Sequence, residues 1–224
     1  VVKDIKKRLI KEVVKPFFKE NGFGNKGVNF EKDISLFTIE ADIQSQKYYK
    51  TEGEENFRIN CSVVCPAFNE FCGELPIQQS FGGLVISGDN SWITIKADTG
   101  YDGLAAWLKP ELDKIKELEI RFRNIENIIY ALKEECGLQY AFLLLHQSRT
   151  DELNEWLRYK KEALAKFRSE LAAIETEGAI LNQKPDSLDK RLKLDGIAMR
   201  RNKIGSKIEA AQNELDLIAK HIER

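Results

Sequence analysis

The chain has 224 residues, 42% of them hydrophobic and 32% charged, with 35 Lys and Arg against 36 Asp and Glu for a net charge of −1. That length suffices for one large domain or a domain with an appendage, the composition is that of a soluble globular protein rather than a disordered one, and the balanced charge singles out no class of partner. The longest apolar run, Tyr140 to Leu145, is far short of the ~20 residues of a membrane span, and the charged start VVKDIKKRLI lacks the apolar segment of a signal peptide, so the expected location is cytoplasmic.

Residues 1 to 20 carry Val2, Ile5, Ile10, Val13, Val14, Phe17 and Phe18 at helical spacing, which predicts an amphipathic opening helix with a kink at Pro16 and a stop at Asn21-Gly22. Gly22 and Gly24 resemble the start of a phosphate loop, but such a loop runs from strand to glycines to helix, and here the order is helix, glycines, strand. They are therefore expected to turn the chain and bind nothing.

Five strands are expected next. Gly27 to Lys32, Ile34 to Ile43 and Phe57 to Cys65 come first, the last two with the strict alternation of strands wet on one face, hence an antiparallel sheet. LVISGDNSWITIKA reads as a hairpin around Gly88-Asp89-Asn90, and PAFNEFCGELPIQQSFGG as a long loop. Cys61 and Cys65 fall on the apolar face of their strand, four residues apart, so Cys61, Cys65, Cys72 and Cys136 are expected to be free thiols and not a metal or disulfide framework.

From Asp98 a helical stripe runs through Leu104, Leu108, Leu112, Ile115 and Leu118 and on to Leu132, ending at Gly137. After residue 150 two heptad-like series, Leu153 to Ile174 and Leu194 to Ile222, flank a turn at Gln183-Lys184-Pro185-Asp186 capped by Ser187 or Asp186. The expected organisation is an α+β domain over 1–148, a helix packed on an antiparallel sheet, and a coiled-coil-like helical hairpin over 149–224. Folding the hairpin at that turn sets Lys160 level with Glu209 and Arg201 near Arg168.

Catalytic chemistry is poorly supported. No HExxH, GxSxG or GxxxxGK[ST] pattern occurs, and His146 and His221 have no cysteine or histidine at ligand spacing, so no catalytic residue, metal or cofactor is expected. Carboxylate chemistry in the loop after Cys65 has nothing positive behind it. Charge is locally uneven, however. Lys190 to Lys207 holds Lys190, Arg191, Lys193, Arg200, Arg201, Lys203 and Lys207 against Asp195 alone, and the facing segment holds Arg158, Lys161 and Arg168. Such a band suits phosphates or an acidic protein, or is neutralised by acids of neighbouring helices. Gln44, Gln46 and Lys47 at a strand end, with Trp92, form a possible recognition edge or simply pin the strand.

An amphipathic helix ending in Gly22-Phe23, Lys26, Phe30 opening the first strand, a strand ending IQSQKYY, and Phe57 followed by an alternating strand with Asn60 together give the first ~140 residues their character. In these features the chain resembles the bacterial domain of unknown function 4304 family. The resemblance implies a helix on an antiparallel sheet and the company of bacterial immunity or defence-accessory proteins, and it implies no active site. The hairpin goes beyond the family's extent and is the expected seat of a partner. The function expected first is therefore a non-catalytic interaction protein, pairing with itself or another protein through the hairpin; the alternative is a nucleic-acid-binding accessory that uses the basic band, with no membrane contact in either case.

Overall fold

A computed structural model describes residues 2–46, 51–73, 80–88, 91–183 and 185–222. It has an α+β architecture with two compact units, Val1–Ala131 and Leu132–Arg224. None of the described helices is long and apolar enough to cross a membrane.

The opening helix comprises α1 (Val2–Leu9), a π-helical turn (Ile10–Val14) and α2 (Lys15–Glu20). The expected kink thus takes the form of a widened turn just before Pro16, which lacks the N–H that α-helical bonding would require. Leu9, Val14 and Phe18 are buried completely. The helix stops as a Schellman motif: Gly22 is left-handed (φ +77°), its N–H donates to Lys19 O at 3.1 Å, and Phe23 N–H donates to Phe18 O at 2.9 Å. Phe18 then packs edge-on to Phe23 and stacks on Phe30 with centroids 4.0 Å apart. The glycine corner is occupied by the protein's own backbone bonds and aromatic packing.

The sheet comprises β1 (Gly24–Lys26), β2 (Asn29–Ile34), β3 (Phe37–Ser45), β4 (Glu55–Val64), β5 (Ser80–Ile86) and β6 (Ile93–Ile95), all antiparallel to their neighbours in the order β1-β2-β3-β4-β5, with β6 also on β4. Two turns move the expected strand limits. Gly27 (φ +74°) separates β1 from β2, and Ser35 (φ +58°) opens a two-residue turn that sets Ile34 opposite Phe37.

The expected hairpin at 84–97 is absent. Ile86 pairs with Ile59 and Ile93 with Phe57, so β5 and β6 follow each other along one edge of β4, with Arg58 alone between the two pairings. Asp89 and Asn90, in the expected turn, lie outside the described residues. The expected long loop instead begins with α3 (Pro66–Cys72), where Pro66 suits the first helical turn and Phe68, Phe71 and Cys72 bury one face.

One face of the sheet is covered by the opening helix and α4 (Tyr101–Arg123), whose Leu108, Leu112, Ile115 and Phe122 are buried. Glycine is required where β5 meets β4: a Cβ on Gly83 would lie 2.4 Å from Cys61 O. Lys32 on β2 bonds both carboxylate oxygens of Glu119 on α4 at 2.7 Å. The stripe expected to run on to Gly137 breaks at Asn124, whose side-chain oxygen accepts from Glu126 N–H at 3.0 Å and starts α5 (Ile125–Leu132).

In the second unit, α6 (Leu138–His146) joins α7 (Thr150–Asn182) and α8 (Leu188–Ile222). The expected boundary at 148/149 thus differs from this division by α6, an element built from the apolar run Tyr140 to Leu145. Trp156 Nε1 donates to Cys136 O at 2.8 Å. The two long helices pack together along Leu153, Leu164, Ile174, Ile197, Ile204, Ala211, Leu215 and Ile218, all buried. Ser187 Oγ caps α8 by accepting from Lys190 N–H at 3.1 Å.

The seam register differs from the expected one by roughly one and a half to two turns. Lys160 Nζ donates to Glu214 Oε2 at 2.6 Å rather than meeting Glu209, and Arg201 lies 3.4 Å from Glu175 rather than beside Arg168. Helix α7 ends at Asn182 and α8 starts at Leu188, so the chain reverses where the Gln183 to Asp186 turn is expected, and the difference lies in how far the two helices are offset along each other.

Candidate interaction surfaces

Strand alternation places Glu40, Asp42 and Gln44 of β3 beside Ser62, Asn60 and Arg58 of β4, on the face opposite buried Ile39, Ala41, Ile59 and Val63. Here the expected recognition edge is largely satisfied from within. Gln44 Oε1 accepts from Arg58 Nε at 2.7 Å, the Arg58 guanidinium sits 4.7 Å over the Trp92 ring, and Gln46 Oε1 accepts from Asn56 Nδ2 at 2.8 Å. Lys47 lies outside the described residues. Arg58, the centre of this cluster, escaped the sequence reading because nothing in a linear pattern reveals that β6 pairs with β4 and so sets Trp92 beside it.

Beside the cluster a cavity of about 510 Å³ is lined by Lys26, Asn29, Glu31, Glu40, Asp42 and Ser62, with Glu31 paired directly opposite Glu40. No group of three or more His, Cys, Asp or Glu among the described residues is placed to hold a metal ion. Nucleophilic chemistry from the buried thiols is disfavoured, because burial pushes Cys61 up to about 12 and Cys72 to about 11. Cys61, Cys65 and Cys72 are buried and Cys136 half-buried, all as free thiols.

The basic residues of the hairpin are for the most part engaged within it. Arg191 pairs with Asp186, whose carboxyl is held below its ordinary range by that hydrogen bond; Lys193 pairs with Asp189 at 2.8 Å and Arg200 with Glu177 at 2.8 Å. Arg201 has Glu175, Lys190 Nζ donates to Asn182 O at 3.0 Å, Arg168 donates to Gln212 Oε1 at 3.0 Å, and Lys207 lies 5.2 Å over the Phe167 ring. Arg158, Lys161 and Lys203 are exposed. The hairpin thus carries interleaved charges of both signs where the sequence suggests a basic band.

A different feature of α8 was not legible as a site. Leu188, Leu192 and Met199 are 75%, 63% and 75% exposed. At about 100° per residue they fall within about 40° of one another and opposite the seam residues Ile197 and Ile204. The first half of α8 is therefore apolar on two faces, one packed on α7 and one bare. The signal was the spacing of Leu188, Leu192 and Met199, masked by the basic residues interleaved among them.

Comparison with family models, curated proteins and solved structures gives no match for this chain.

Proposed function

We propose that this chain is a non-catalytic interaction protein that engages a protein partner, itself or another, through the bare face of α8. The carrying observation is the stripe Leu188, Leu192 and Met199, more than three-fifths exposed, on a helix whose opposite face is already packed. Scattered single apolar residues are ordinary on a protein surface, but an aligned stripe on a long helix is the pattern of a helix-to-helix contact. Full burial of a leucine or methionine side chain is worth about 1.5–3 kcal/mol each, a contribution set against the cost of association. An accessory or immunity role in a bacterial defence system is consistent with this reading and rests on the family resemblance alone.

The nucleic-acid alternative is weakened by the carboxylates beside Arg191, Lys193, Arg200 and Arg201. Affinity capture from the native cell tests the choice. The wild-type chain is expected to retain a protein partner that the doubly changed Leu192→Glu, Met199→Glu chain loses, with nucleic-acid binding unaffected by reversal of Arg200, Arg201 and Lys203. Identical capture by both chains, or steeply salt-dependent nucleic-acid binding lost on that reversal, overturns the proposal.

A further inference from the structure

We infer that the occupant of this face is a second copy of the same chain, with the two α8 helices antiparallel about a two-fold axis at Gly196. The inference rests on the reading of the bare stripe as a contact surface and adds its partner and geometry.

Gly196 is the first observation. A glycine within a helix costs roughly 1 kcal/mol relative to alanine, and a Cβ here would meet nothing within 4 Å. No packing among the described residues requires it. Gly196 stands four residues after Leu192 on the flank of the bare stripe, where absence of a side chain lets another helix approach closely.

Symmetry supplies the second observation. An antiparallel pairing about Gly196 sets Leu192 of one copy, four residues before the axis, beside Met199 of the other, three residues after it, and repeats the contact by symmetry. Asp189, seven residues before the axis, then faces Lys203 of the second copy, seven residues after it. A two-fold axis joins like flanks of antiparallel helices, and Asp189 and Lys203 share the Gly196 flank, so two opposite-charge pairs form across the contact. Lys203 is exposed and has no carboxylate partner among the described residues, whereas Asp189 has only the exposed pair with Lys193 at 2.8 Å. Asp195, on the other flank and one residue before the axis, comes close to its own copy, a like-charge approach that the pairing must tolerate.

Light scattering of the full chain across a concentration series tests the arrangement. The wild type is expected to dimerise, and Leu192→Glu with Met199→Glu to remain monomeric. Asp189→Lys or Lys203→Asp alone should weaken the dimer about tenfold or more, through two symmetric pairs, and the two together should restore it. Asp195→Asn should tighten it, and Gly196→Leu should abolish it without lowering thermal stability. A wild type monomeric at every concentration overturns the second-copy assignment, as does a double reversal no better than the single ones. If that monomer still captures a protein that the Leu192, Met199 variant loses, the contact surface stands and only its occupant is wrong; a dimer indifferent to those two substitutions removes both.

Discussion

Lys160 of α7 donates to Glu214 of α8 at 2.6 Å, an ion pair set into an otherwise apolar seam with both side chains less than a quarter exposed. The lysine also lies 5.3 Å from the Trp156 ring centre. Such a pair fixes which residues stand level across the hairpin more than it adds stability, because desolvation offsets most of the attraction. Glu214→Ala is therefore expected to destabilise the chain by about 1–3 kcal/mol, since it strands a half-buried cation, whereas Lys160→Met combined with Glu214→Leu should be neutral or stabilising. Thermal unfolding of the three chains measures this, and an equal loss in the single and double variants would contradict it.

Glu119 provides a pH dependence with a definite sign. Burial raises its pKa, but hydrogen bonds from Lys32 and Arg123 more than compensate and hold the carboxyl below its ordinary value. A depressed folded pKa gives stability that is present above the unfolded value, about 4.3, and is lost as pH falls through the folded one. The gap between the unfolding midpoints of wild type and Glu119→Gln should therefore be full above about pH 5 and narrow as pH falls below the unfolded value of about 4.3. Parallel curves across that range would show that the pair contributes nothing linked to protons.

Thiol reactivity should divide the four cysteines. Cys136 is only half-buried, whereas Cys61, Cys65 and Cys72 are buried and pushed up by desolvation. At pH 8 the native chain is expected to take its first alkyl group at Cys136, with the other three modified only on unfolding. Peptide mapping that finds Cys61 or Cys72 modified first would refute the burial assigned to them.

Two glycines should respond oppositely to the same change. Gly83→Ala forces a methyl to within 2.4 Å of Cys61 O across the β4–β5 pairing, where only backbone movement can relieve it; a loss of at least about 2 kcal/mol is expected. Gly196→Ala meets open space and should gain up to about 1 kcal/mol of helix stability. Equal responses by denaturation would mean that one of these environments is wrong.

Much of the fold was legible because periodicity reports burial. The alternation of Phe37 to Ile43 and Phe57 to Cys65, the Asn21-Gly22 stop and the Ser187 cap all follow from local chemistry, and each is present. Local chemistry also hid the errors. Ser35-Leu36 turns the chain without glycine or proline, and β5 and β6 each pair with β4 although the turn-forming residues between them read as a hairpin. The hairpin register depends on the offset of α7 and α8 along each other, which the turn residues do not dictate, and an offset of five residues exchanges Glu209 for Glu214 as the partner of Lys160. As for the site, charge drew attention to Arg200 and Arg201, which find carboxylates across the hairpin, while the bare stripe became visible only once Ile197 and Ile204 had fixed the inward face.

The central claim, that the outer face of α8 is a protein contact, is tested most directly by a photo-crosslinking amino acid placed at position 192 and irradiated in the native cell. The account predicts a discrete covalent adduct with a protein, lost when Met199→Glu is added, and no adduct from the same residue placed at exposed Lys166 on α7. No adduct at position 192, or equal adducts at both positions, would contradict it.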